Sequence, residues 1–126
     1  PEVPETLSRA GYAVYVKGGP ELDNYTAWET AGGEMVRRPL GKRPAQADIV
    51  YCHRPIEELP ELAALARELG AGTLWLQSGR DGNGDKDPRG CWLPEEQARQ
   101  AETIAGAAGL RLITAPYIAD AARALS

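Results

Sequence analysis

The sequence predicts an α/β protein, a parallel sheet with flanking helices. Three observations predict it: short apolar segments of strand length, amphipathic helical patterns between them, and glycine or proline at the boundaries. Alternation of this kind builds right-handed βαβ crossovers and leaves a ligand crevice outside the carboxyl ends of the strands.

The elements follow in order. A short helix is expected around Glu5 to Ala10, with Gly11 as its stop. No strand is expected before it in residues 1–126, so the strand that usually comes first in this fold, with its phosphate-receiving turn, is expected to be lacking from the sheet these residues build. Four strands are then expected, at Ala13–Val16, Ile49–Cys52, Thr73–Leu76 and Leu110–Ile113. Mostly apolar runs of this length suit strands covered on both faces, and all four are expected in one parallel sheet with Leu74–Leu76 central and fully covered.

Between the second and third strands Leu59, Leu62, Ala63, Ala66 and Leu69 form a helical stripe, with Pro60 in the first turn and Gly70 at the cap. Pro94-Glu95-Glu96 starts the next helix, whose stripe is Ala98, Ala101, Ile104 and Ala108 before Gly109. Ile118, Ala121, Ala122 and Leu125 predict a closing helix. The first strand, lacking a neighbour at one edge, is expected to be covered there by another chain or a swapped segment.

Composition narrows the class. With 126 residues, 43% apolar and 25% charged, the chain reads as one globular domain over residues 1–126. No apolar run reaches the roughly 20 residues of a membrane span, and Pro1-Glu2-Val3-Pro4-Glu5 lacks the features of a signal peptide, so a cytoplasmic location without membrane contact is expected. A net charge of −4 argues against bulk nucleic-acid binding. Cys52 and Cys91 are expected to stay reduced in that compartment.

Particular residues carry a resemblance. Val3-Pro4-Glu5-Thr6-Leu7, Gly11-Tyr12-Ala13-Val14-Tyr15, Ala47-Asp48-Ile49-Val50, His53-Arg54-Pro55 and, most sharply, Leu74-Trp75-Leu76-Gln77-Ser78-Gly79 resemble the small bacterial CoA-binding proteins. These are stand-alone Rossmann-like domains similar to the CoA-binding domain of succinyl-CoA synthetase. The resemblance implies coenzyme A, or a related nucleotide phosphate, as the ligand. Val16-Lys17-Gly18-Gly19-Pro20 stands where the family typically has Val-Asn-Pro. Thr114-Ala115-Pro116-Tyr117 stands where it has Asp-Arg-Cys, so no role passes to that cysteine.

Three strand ends supply the candidate binding residues. Lys17, Gly18 and Gly19 form either a plain turn or an anion-binding turn with Lys17 as a point charge. His53 and Arg54 end the second strand, where a guanidinium fork holds a pair of phosphate oxygens. Gln77, Ser78 and Gly79 end the third and offer an amide, a hydroxyl and unhindered backbone to ribose, phosphate or pantetheine.

Two further segments are weighed and set lower. Asp81-Gly82-Asn83-Gly84-Asp85-Lys86-Asp87 begins like a calcium loop but has Lys86 at the glycine position and Trp92 at the glutamate position, so no metal is assigned; residues 81–92 read as an insertion. Arg37, Arg38, Lys42 and Arg43 lie in what reads as an interrupted connection, either a solvated loop or a gate for a charged ligand.

No catalytic constellation stands out: there is one histidine, and no Cys-x-x-Cys, G-x-S-x-G, P-loop or G-x-G-x-x-G motif. Catalytic groups meet in space, so a small enzyme using the same crevice stays open. So does a degenerate Rossmann-like domain serving as a protein interaction module. The leading reading is a CoA or nucleotide-phosphate binder at the carboxyl ends of parallel strands.

Overall fold

The computed structural model describes residues 2–17, 24–52, 56–77, 85 and 93–125. The chain divides into two compact units, one of residues 1–44 with 119–126 and one of residues 45–118.

The second unit carries the parallel sheet. Strands β4 (Ile49–Cys52), β5 (Thr73–Leu76) and β6 (Arg111–Ile113) lie in the order β4-β5-β6, each pair parallel. A single 3-10 turn at Ile56–Glu58 and helix α2 (Leu59–Glu68) connect the first two strands, and helix α3 (Glu95–Ala107) precedes the third. Proline sits in the first turn of α2, where its missing N–H costs nothing. Gly70 and Gly109 follow α2 and α3 with φ of 73° and 70°, the left-handed backbone that a side chain resists.

Both helices pack on the same face of the sheet. Leu59, Ala63 and Ala66 of α2 and Ala101 and Ala105 of α3 share one buried cluster with Cys52, Leu74 and Leu76. Strand side chains alternate, so the in-register residues Tyr51, Trp75 and Ile113 belong to the opposite face, and so do Ile49 and Thr73. That face is less covered: Ile49 is 44% exposed and Trp75 is half-buried, whereas Leu74 is fully buried. The third expected strand is therefore central, but only its helix-facing side is fully covered.

The first unit departs from the expectation. Strand β1 (Val14–Lys17) is not in the parallel sheet; it pairs antiparallel with β2 (Tyr25–Ala31), which pairs antiparallel with β3 (Glu34–Leu40). The physical reason lies in the following segment, a two-stranded ribbon that offers β1 a continuous ladder. Its strands are joined by Gly32-Gly33, with φ of 60° and 82°, the paired positive values of a type I′ hairpin turn. The stretch holding Arg37 and Arg38, read from sequence as a connection, is thus an edge strand. Pro39 is tolerated there because one side of the strand needs no ladder bond. β1 is the other edge strand of this sheet.

Helix α1 (Glu2–Arg9) packs on β1 and β2. The buried Ser8 hydroxyl donates to the Trp28 carbonyl at 3.1 Å and lies 3.2 Å from the Thr30 hydroxyl. Arg9 donates to the Gly33 carbonyl at 3.1 Å and so reaches the hairpin turn. Helix α4 (Ile118–Leu125) closes the chain, and its Arg123 reaches back to Glu2 at 2.7 Å and Thr6 at 3.2 Å. Among the described residues no helix is long and apolar enough to cross a membrane.

Candidate functional site

The carboxyl ends of β4 and β5 place polar side chains on the face opposite α2 and α3. Tyr51 is the last residue of β4 directed to that face, in register with Trp75 of β5. Gln77, two residues beyond Trp75, continues the same face past the end of the strand. Its backbone N–H donates to the Cys52 carbonyl at 3.0 Å, which extends the ladder by one bond and holds the residue in place. The Tyr51 hydroxyl donates to the Gln77 side-chain carbonyl oxygen, Oε1.

The surroundings of this pair are aromatic. Trp75 donates its indole N–H to the Pro116 carbonyl at 3.0 Å, tying the segment after β6 to the centre of the sheet. Burial raises the Tyr51 phenol above the ordinary tyrosine range, and nearby Tyr117 and Cys52 push it further in the same direction. Tyr51 is therefore a neutral O–H donor at physiological pH. Cys52 points the other way, into the helix-facing core, where it is 4% exposed.

Of the residues selected from sequence, Gln77 lies at this strand end and is half-buried. Lys17 ends β1, exposed, and belongs to the antiparallel unit. Gly18, Gly19, His53, Arg54, Ser78 and Gly79 lie outside the described residues, as does the segment 81–92 apart from Asp85. Sequence reasoning missed Tyr51. It read Ile49–Cys52 as an apolar strand and gave no weight to the phenol. The signal was available in register: with the strands aligned, a tyrosine at the penultimate position of β4 sits diagonally opposite the residue after β5.

Two of the four clustered cations, Arg37 and Arg38, have partners on the antiparallel sheet. Arg37 and Arg38 are consecutive on β3 and so face opposite sides of the antiparallel sheet. Arg37 stacks over the Trp28 ring, 5.2 Å from its centroid, and Arg38 pairs with Glu29 at 2.6 Å. The Glu29 hydrogen bond and charge raise the Arg38 pKa. A joint anion gate built from both arginines is not what this strand presents. Among the described residues no group of three or more His, Cys, Asp or Glu side chains is placed to hold a metal ion.

The arrangement is suited to binding. It offers oriented hydrogen-bonding groups beside aromatic surface at the end of a parallel sheet, the place where open α/β sheets receive ligands. No curated protein and no solved structure matches the chain. The CoA binding domain family matches it over residues 2–119. That span takes in every strand of both sheets, and the chain belongs to the CoA binding domain family.

Proposed function

We propose that the protein binds coenzyme A, or a related nucleotide phosphate, at the carboxyl ends of β4 and β5. The observation that carries the reading is the Tyr51–Gln77 pair, a polar group fixed beside Trp75 at the end of the central parallel strand, in a chain of this family. The reading gives phosphate to His53 and Arg54, and ribose, phosphate or pantetheine contacts to Gln77, Ser78 and Gly79. Lys17, Gly18 and Gly19 are a separate candidate turn for an anion. The proposal assigns binding and no catalytic step, in the cytoplasm.

A thermal-shift panel of CoA, acyl-CoA, NAD and ATP tests it. A ligand that binds only the native state raises the melting temperature by mass action, and CoA is expected to give the largest rise. Arg54→Ala should then weaken CoA binding by more than about tenfold at fixed salt, since a charge-assisted hydrogen bond contributes roughly 1.5–3 kcal/mol. No shift with any of the four ligands contradicts the reading.

A second reading, an interaction module, draws on β1. This edge strand exposes Tyr15 and pairs with β2 along one side. Pairing of its other side with a second copy predicts a dimer in sedimentation equilibrium that Val16→Pro dissociates.

A further inference from the structure

We propose that the segment after β6 completes the site, with Tyr117, held in place by Trp75, giving the purine base of a nucleotide ligand a ring to stack on. The inference rests on the binding reading above and deepens it, since that reading draws on the ends of β4 and β5 and gives the base no partner.

Aromatic side chains converge here from three segments distant in sequence. Tyr51 of β4 and Trp75 of β5 are in register on the face opposite α2 and α3. The chain leaves β6 at Ile113, the residue in register with Trp75, and then turns so that the Pro116 carbonyl accepts the Trp75 indole N–H at 3.0 Å. That bond pins residues 114–117 to the central strand. Tyr117 is thereby held from both sides, by the tethered Pro116 and by Ile118, which is buried. It stands close to Tyr51: burial raises the Tyr51 phenol most, and Tyr117 is the larger of the neighbouring influences that raise it further.

Plain core packing would enclose these rings, and it does not. Tyr51, Trp75 and Tyr117 are each half-buried, whereas Leu74 on the helix-facing side is fully buried. The accessible aromatic surface lies at the carboxyl end of the parallel strands, where open α/β sheets receive ligands. Of the parts of a nucleotide phosphate, only the base is flat and carries a π-face that such a surface attracts. Tyr51 and Trp75 are placed by the sheet itself. Tyr117 lies on a connection, and its position depends on the hydrogen bond that Trp75 donates, which makes Trp75 a positioning residue.

The test is calorimetric titration of the full chain with CoA, adenosine 3′,5′-bisphosphate, ribose 3,5-bisphosphate and pantetheine. Ribose 3,5-bisphosphate keeps the phosphates and lacks the base. It is expected to bind the wild-type chain more weakly than the adenosine compound by roughly fivefold to hundredfold, the range for one base on one aromatic ring. Tyr117→Leu, shown to be folded by circular dichroism, should weaken CoA and adenosine 3′,5′-bisphosphate by a comparable factor and leave the other two ligands unchanged. Tyr117→Phe keeps the ring and should retain the affinity. Trp75→Phe removes the N–H that holds Pro116, so it should weaken the same two ligands. In the Tyr117→Leu background it should have no further effect, because the tryptophan acts through the tyrosine. A merely structural tryptophan would weaken every ligand alike and in both backgrounds.

Equal affinity of the wild-type chain for the two bisphosphates, an unchanged CoA Kd in Tyr117→Leu, or a loss in Trp75→Phe that persists without Tyr117 overturns the inference while leaving CoA binding intact. Absence of CoA binding by the wild-type chain overturns the binding reading, and the inference with it.

Discussion

The two sheets of this protein solve the same problem in opposite ways. In the parallel unit, strands of three or four residues are backed by two helices that share one core, and Leu74 at its centre is fully buried. In the antiparallel unit, two seven-residue strands and one of four residues hold together through their ladder, with two short helices, α1 and α4, in the same unit. The buried residues there are Ser8, Tyr25 and Ala27, with Ala119 and Ala122 of α4. A core built by helices leaves strand ends free to carry a binding group. A sheet built by a ribbon invests its side chains in mutual pairing, as Arg38 with Glu29 and Arg37 with Trp28 show.

The contrast can be broken most forcefully at the core. Leu74→Ala removes side-chain volume from a site enclosed by α2 and α3, and a loss of about 2–5 kcal/mol in urea-unfolding stability is expected. The antiparallel unit should be most vulnerable at its turn. Gly33→Val forces a β-branched residue to the φ of 82° that the hairpin requires, at a cost of about 1–2 kcal/mol in the same measurement. A larger loss from Gly33→Val than from Leu74→Ala would reverse the account of where the stability resides.

The smallest effect sharpens the comparison at the strand end. The Tyr51 phenol is raised above the ordinary tyrosine value, so the folded chain keeps a proton that the unfolded chain releases above about pH 10. The stabilising contribution is complete below that pH and is lost as pH rises through the folded value. Stability should therefore decline as pH rises above about 10, and decline less in Tyr51→Phe. Equal slopes for the two proteins would remove the burial argument for Tyr51.

The same contrast explains what the sequence disclosed. Ile49–Cys52 and Thr73–Leu76 are legible to the residue because strands packed under helices appear as uninterrupted apolar runs. Helices α2 and α3 are legible through their stripes and glycine stops, and α4 through its stripe alone. The ribbon was not. Tyr25 to Trp28 alternates buried and half-buried positions, but Arg37, Arg38 and Pro39 make β3 look like a loop, since an exposed edge strand needs no apolar face. Gly32-Gly33 between two alternating segments was the available sign of a hairpin. Once that ribbon claims β1, a parallel sheet of four strands becomes one of three.

At the candidate site, Gln77 was singled out because the run Leu74 to Gly79 is the sharpest part of the family resemblance. Its pairing with Tyr51 was not legible, because that depends on the register of two strands that are distant in sequence. Hydroxyl-to-amide pairing across a sheet leaves no local pattern.

The most direct measurement is an amide-resolved NMR titration of the full chain with coenzyme A. Binding at the carboxyl ends of the parallel strands predicts saturable shifts concentrated at Cys52, Ile56, Gln77 and the indole N–H of Trp75, with the hairpin amides of Gly32 and Gly33 unmoved. Shifts confined to β2 and β3, with the Gln77 and Trp75 signals unchanged at saturation, would contradict it.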